Sequence, residues 1–156
     1  MDVNVKVVRI AKDLPLPKYE TLGAAGMDVY ADVPVDAPVT IQPHTHTLIS
    51  TGLKVAIPFG YEIQVRPRSG LALRLGIEVV NSPGTIDSDY RGVIGIILKN
   101  DGEQPFTVNR GDRIAQIVLN QVPIIKWEEV ADEAMLGTTK RGEGGYGHTN
   151  YKASTK

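Results

Sequence analysis

The chain has 156 residues, the size of one ordinary domain, and a chain of that length buries about 68–70% of its unfolded surface without needing a disulfide or a metal to fold. It has no cysteine, which excludes disulfide scaffolds, zinc fingers, thiol redox sites and cysteine nucleophiles together. Seventeen Lys and Arg against 18 Asp and Glu give a net charge of −1, so the basic excess that grips a nucleic-acid polymer through its phosphates is missing.

Residues 1–10 alternate and carry charge, unlike a signal peptide. The longest apolar stretches, such as 94–98 broken by Gly95, fall far short of the ~20 residues of a membrane helix. A soluble, cytoplasmic protein with no membrane contact is expected. Residues 3–7 alternate with period two, and so do residues 61–66, with Tyr61, Ile63 and Val65 on one face. Residues 69–76 form the one clear helical candidate, with Ser69 as N-cap and Gly76 as stop. Asp87-Ser88-Asp89-Tyr90-Arg91-Gly92 reads as a polar hairpin entering a buried strand over residues 93–98. A second buried strand is expected over residues 113–118, rich in β-branched side chains. Residues 128–136 are either a second short helix or the end of a strand at Trp127-Glu128. Sixteen glycines and 10 prolines place a turn every ~8–12 residues, the pattern of a sandwich, jelly roll or barrel.

Residues 137–156 differ from the rest. They hold almost nothing to bury and are expected to be a mobile arm following a β domain over residues 1–136. A Gly-rich terminus is ordinarily a disordered tail; Arg141 and Tyr146 among the glycines instead suit a segment that orders over a ligand. Gly142, Gly144 and Gly147 match G-x-G-x-x-G, but only nine residues follow Gly147, too few for the crossover helix and second strand of a dinucleotide fold. What remains is bare backbone N–H groups able to approach phosphate oxygens closely.

Three other constellations carry possible chemistry. Residues 87–92 are either an ordinary charged turn or a general base with a stacking face beside it. Arg66-Pro67-Arg68-Ser69-Gly70, at a strand-to-helix junction, is either a simple cap with solvated arginines or an anion site. His44 and His46 form an H-x-H pair without a third ligand nearby, which reads as surface histidines. The chain has no G-x-S-x-G, Walker A or H-E-x-x-H motif, and no H-x-E with paired cysteines of a zinc deaminase.

In order, five segments resemble the trimeric dUTPase family. They are Ala25-Gly26-Met27-Asp28-Val29-Tyr30-Ala31; Pro67-Arg68-Ser69-Gly70-Leu71-Ala72; residues 81–92 around Gly84-Thr85-Ile86-Asp87-Ser88-Asp89-Tyr90-Arg91-Gly92; Arg110-Gly111-Asp112-Arg113-Ile114-Ala115-Gln116; and Arg141-Gly142-Glu143-Gly144-Gly145-Tyr146-Gly147-His148-Thr149. The set covers essentially the whole chain. The resemblance implies an all-β, jelly-roll-like fold with one short helix and a Gly-rich C-terminal arm. It implies a homotrimer whose three active sites lie between subunits, each completed by a neighbour's arm, and hydrolysis of dUTP to dUMP and pyrophosphate with Mg²⁺.

By position, the resemblance makes Asp87 the base that deprotonates the attacking water. It puts Tyr90 against the deoxyribose, and Asn81 with the backbone of Gly84, Thr85 and Ile86 on the uracil edge. It gives the phosphates to Arg68, Ser69, Gly70 and Gln116, the γ-phosphate to Arg141, uracil stacking to Tyr146, and a water-mediated contact with Mg²⁺ to Asp28. Two positions depart from the family: Tyr146 stands where Phe is usual, and Gly95 where relatives often carry a larger residue near the base. The nearest rival, dCTP deaminase, carries a catalytic Glu on the strand after the hairpin; here that position is Ile97. A rival of another class, a non-catalytic jelly-roll binding module, has no use for an acid at Asp87 or for Arg141.

Overall fold

The computed structural model describes residues 2–145. Among these the chain forms β1 (Lys6–Arg9), β2 (Met27–Tyr30), β3 (Val39–Ile41), β4 (His46–Ser50), β5 (Leu53–Ala56), β6 (Tyr61–Arg66), α1 (Ser69–Leu75), β7 (Ile77–Val79), β8 (Gly84–Ile86), β9 (Gly95–Asn100), β10 (Phe106–Val108) and β11 (Arg113–Gln121). All the pairings are antiparallel. One sheet has the order β2-β11-β6-β8 and another β4-β9-β7, while β1 pairs with β5 and β10 with β3. Val29, Ile63, Val65 and Ile117 of the first sheet share one core with Ile49, Ile77, Ile96 and Leu98 of the second. This is the expected all-β, jelly-roll-like arrangement, two sheets burying their inner faces against each other.

The chain divides into two compact units, Met1–Ile124 and Ile125–Lys156. The first holds both sheets and α1. The boundary expected at 136/137 falls inside the second. No helix among the described residues is long and apolar enough to cross a membrane.

β6 has the bounds its alternation indicated. Other elements shift, because a strand extends only where it has a partner. The N-terminal strand covers Lys6–Arg9 rather than 3–7, since those four residues face Ala56 to Leu53 of β5. β9 begins at Gly95 and is buried on one side only: Ile96, Leu98 and Asn100 face the core, whereas Gly95, Ile97 and Lys99 are half-buried. β11 runs on to Gln121, with a bulge between Arg113 and Ala115. The expected hairpin at 87–92 does not form. β8 before it pairs with β6, and β9 after it pairs with β4 and β7, so the loop carries the chain from one sheet to the other.

α1 stops at Gly76, whose φ of 66° is a left-handed conformation that side-chain-bearing residues seldom adopt. Its N-cap is Arg68 rather than Ser69, and no side-chain cap bond forms. Arg68 is the last extended residue after Pro67, and its guanidinium is held elsewhere. Of the second helical candidate only one 3₁₀ turn, Glu133–Leu136, is present; the Asp132 carboxylate starts it by accepting the Ala134 N–H at 2.8 Å.

Candidate active site

β11 lies between β2 and β6, and its register after the bulge puts Gln116 opposite Asp28 on one side and Arg66 on the other. Just past the end of β6, Arg68 turns its side chain back across this row. Its Nε donates to Asp28 Oδ1 at 3.1 Å and its Nη1 to the Arg113 carbonyl at 3.1 Å. Gln116 Nε2 donates to the Pro67 carbonyl at 2.9 Å, which fixes the same turn from the other side. Arg113 Nη1 stands 3.6 Å from Asp28 Oδ2, and its guanidinium lies 6.0 Å from the centre of the Tyr30 ring. Two guanidinium groups thus flank Asp28, and Arg113 Nη2 also stands 3.7 Å from Glu20 Oε1, so the charges of the cluster balance beside the first turn of α1. The leading N–H groups of that helix, on Ser69 and Gly70, have no intrahelical acceptor. The Nη2 of Arg68, uncommitted among the described bonds, and these N–H groups suit an anion of the phosphate kind.

β8 extends from the other flank of β6. A Cβ on Gly84 would stand 3.3 Å from Asn81 Nδ2, so the Asn81 amide rests against the Gly84 backbone. Thr85 pairs with Gln64 and Ile86 with Ile63. The loop that follows is tied at several points. The Tyr90 N–H donates to the Asp87 carbonyl at 3.2 Å, and the Tyr90 hydroxyl to the Val93 carbonyl at 3.0 Å. Arg91 Nη1 donates to the Ser88 and Tyr90 carbonyls at 2.7 and 2.8 Å. Asp87 and Tyr90 are both exposed on this braced loop. Asp87 makes no ion pair among the described residues, and it borders a cavity of about 460 Å³ shared with Phe59, Tyr61, Glu62 and Ser88.

The two groups are not together in one chain. Gly84 faces Val65 whereas Ile86 faces Ile63, so β8 runs away from Arg68 and delivers Asp87 beside Glu62. From Glu62 to Arg66 is four strand steps, about 13 Å at ~3.3 Å per residue, and Arg68 lies beyond. The structure therefore assembles Asp28, Arg68, Ser69, Gly70 and Gln116 at one end of β6. Asn81, Gly84, Thr85 and Ile86 lie along its flank, and Asp87 and Tyr90 toward its other end. Arg141 belongs to the second unit, where its Nε donates to the Gly144 carbonyl at 2.7 Å. Tyr146 lies outside the described residues.

No group of three or more His, Cys, Asp or Glu poised to hold a metal exists among the described residues. His44 sits in a turn with φ of 61°, and His46 opens β4. Both Asp28 oxygens face guanidinium groups, so direct metal coordination does not fit that carboxylate. Gly95 meets Leu48, whose Cδ1 would stand 2.7 Å from a Cβ placed there.

Motif residues also turn out to do structural work that spacing did not reveal. Arg110 clamps Asp13 with Nε and Nη2, both at 2.8 Å, while its Nη1 donates to Asp32 Oδ1 at 2.6 Å and to the Val33 carbonyl at 2.9 Å. This fork holds the Asp13 carboxyl down at about 2, below the usual 3.8. Arg113, through its carbonyl and its guanidinium, is the unforeseen member of the cluster around Asp28. No sequence signal marks either role, since the partners lie between 45 and 97 residues apart.

The dUTPase family model matches residues 12–150. The chain belongs to the dUTPase family. It is an enzyme, a nucleotide hydrolase by that kinship. A curated deoxyuridine 5'-triphosphate nucleotidohydrolase of Caulobacter vibrioides is 56% identical over 137 residues, 88% of this chain and 86% of its own. The fold is that of a mutant dUTPase from Staphylococcus bacteriophage 80alpha, solved with dUpNHpp. The TM-score is 0.80 at 23% identity, over 93% of this chain and 97% of that one. A mutant dUTPase from phage phi11 of S. aureus, described with a structural Mg(II) ion, aligns at a TM-score of 0.73 and 21% identity, over 84% of this chain and 99% of that one.

Proposed function

We propose that this dUTPase-family chain hydrolyses dUTP, taken up as its Mg²⁺ complex, to dUMP and pyrophosphate. The observation that carries the reading is the braced loop 87–92, which presents an exposed carboxylate, Asp87, beside an exposed ring, Tyr90. Water attacks the α-phosphorus, Asp87 takes its proton, the P–O bond to the β-phosphate breaks and pyrophosphate leaves. Tyr90 packs on the deoxyribose. Asn81 and the backbone of Gly84, Thr85 and Ile86 read the uracil edge; a base with the wrong exocyclic group would leave buried donors or acceptors unpaired. Arg68, the N–H groups of Ser69 and Gly70, and the second N–H of Gln116 bind phosphates. Mg²⁺ bound with the triphosphate would neutralise part of its charge, and Asp28 would hold it through water.

The separation along β6 supports active sites shared between chains, in the homotrimer proposed here. Asp87 of one chain and Arg68 of another complete a site that neither end of β6 completes alone. The outer face of the β4-β9-β7 sheet supports it: Leu48, 67% exposed, lies opposite Ile97, and the exposed Val80 follows β7. An apolar outer face on a sheet needs cover. Residues 137–156 act as the arm that closes over the nucleotide, Arg141 on the γ-phosphate and Tyr146 on the uracil. The reaction supplies dUMP for thymidylate synthesis and keeps uracil out of DNA, in the cytoplasm.

The test is purified protein with dUTP and Mg²⁺, with pyrophosphate and dUMP measured together, and dCTP as the second arm. Equal amounts of both products are expected from dUTP, and no ammonia from dCTP. Ammonia would favour the deaminase; no reaction at all would favour a binding module.

A further inference from the structure

The Tyr90 ring does not project from its loop but folds back over Gly92. A Cβ at Gly92 would fall on the Tyr90 Oη and Cζ atoms and lie 2.9 Å from Cε2. Gly92 is not one of the glycines with positive φ, so its backbone is open to any residue, and what excludes a side chain there is the ring itself. The ring is fixed at both ends, by the Tyr90 N–H on Asp87 and the hydroxyl on Val93. Tyr90 remains 43% exposed, so part of the ring stays open to a ligand while the rest is backed by bare backbone. Arg91 turns its guanidinium onto the carbonyls of Ser88 and Tyr90, which leaves the space over Gly92 to the ring.

We propose that Gly92 is a positioning residue for sugar selectivity: its missing side chain sets how deeply the Tyr90 ring lies, and hence the room left at the 2′ position of the bound nucleotide. This rests on the proposed role of Tyr90 against the deoxyribose. A methyl at Gly92 must displace the hydroxyl end of the ring and break its bond to Val93. A ring freed from that anchor no longer closes the 2′ position, so a ribose gains relative to a deoxyribose.

The test is Gly92→Ala made alone and in a Tyr90→Ala background, with kcat/KM for dUTP and for UTP and the thermal midpoint measured for each. In the wild-type background the preference for dUTP over UTP is expected to fall about tenfold or more, the scale set by a misplaced methyl-sized contact. In the Tyr90→Ala background the same substitution is expected to change the preference no further, because its target is gone. An unchanged preference in Gly92→Ala, or an equal drop in both backgrounds, would overturn the proposal. If Gly92→Ala alone fails to fold, the double variant decides. Its recovery of a cooperative fold supports ring-on-glycine packing, and its failure overturns it. A wild-type protein that turns over UTP as well as dUTP overturns the sugar-reading role of Tyr90. One that hydrolyses neither overturns the function as well.

Discussion

Asp28 accepts the Arg68 Nε–H across 3.1 Å and so joins β2 to the turn after β6, two places 40 residues apart in sequence. Both side chains are largely shielded, at 19% and 32% exposure, so water screens the pair less than a surface ion pair. A charge-assisted bond of this kind contributes about 1.5–3 kcal/mol to holding its groups in place. Arg68 keeps its Nη2 uncommitted among the described bonds, so Asp28 orients the guanidinium without consuming it.

Asp28→Asn keeps the shape and removes the charge. It is expected to raise KM for dUTP about tenfold, the equivalent of ~1.4 kcal/mol, with a smaller change in kcat. Steady-state kinetics over a range of Mg²⁺ check it. An unchanged KM would remove Asp28 from the phosphate cluster.

The separation of Asp87 from Arg68 along β6 calls for a complementation experiment. Asp87→Asn and Arg68→Ala are each expected to lack activity as pure proteins. Co-expressed at equal levels they are expected to regain roughly a quarter of wild-type activity, because some sites then draw both intact residues from different chains. Persistent inactivity of mixed assemblies, shown by mass to contain both variants, would place both residues in one chain's site.

Removal of residues 141–156 is expected to leave the assembly mass and thermal midpoint near wild type and to remove most of the activity. The deleted part begins at Arg141, after both sheets and α1, so the core loses nothing. Size measurement with a pyrophosphate assay separates the two effects. Retained activity would return the arm to an ordinary tail.

Arg110 lowers the Asp13 carboxyl to about 2 from 3.8, chiefly through their hydrogen-bonded fork. A folded value below the unfolded one means that the fork's contribution is complete above 3.8 and fades as pH falls through about 2. The thermal midpoint of wild type is therefore expected to exceed that of Asp13→Asn at neutral pH, with the gap closing as pH drops through that window. A gap independent of pH down to 2 would show that the stability does not come from the ionised carboxylate, and no gap at neutral pH would show that the fork carries no net stability.

Much of the fold was legible because it depends on near neighbours in sequence. The alternation of residues 61–66 gave β6 its bounds, and Gly76 ended α1 where the sequence placed the stop. Pairing partners were not legible. The polar run 87–92 marks a turn correctly, yet nothing local says that β8 and β9 enter different sheets. The site was legible as a set of segments rather than as a geometry. Asp28, Arg68 and Gln116 come together through the register of β11 with β2 and β6, whereas Asp87 is carried off along β8. Arg110 sits in a motif beside Gln116 and proves to brace the N-terminal segment instead.

In the proposed reaction Asp87 activates water on bound dUTP. Calorimetric binding of dUTP with Mg²⁺ and pyrophosphate release, each measured for Asp87→Asn beside wild type, separate binding from proton transfer. The substitution keeps the size and removes the proton acceptor, so binding is expected within a few-fold of wild type and turnover lower by about 10²–10⁴. Turnover at the wild-type rate, with binding intact, would contradict it.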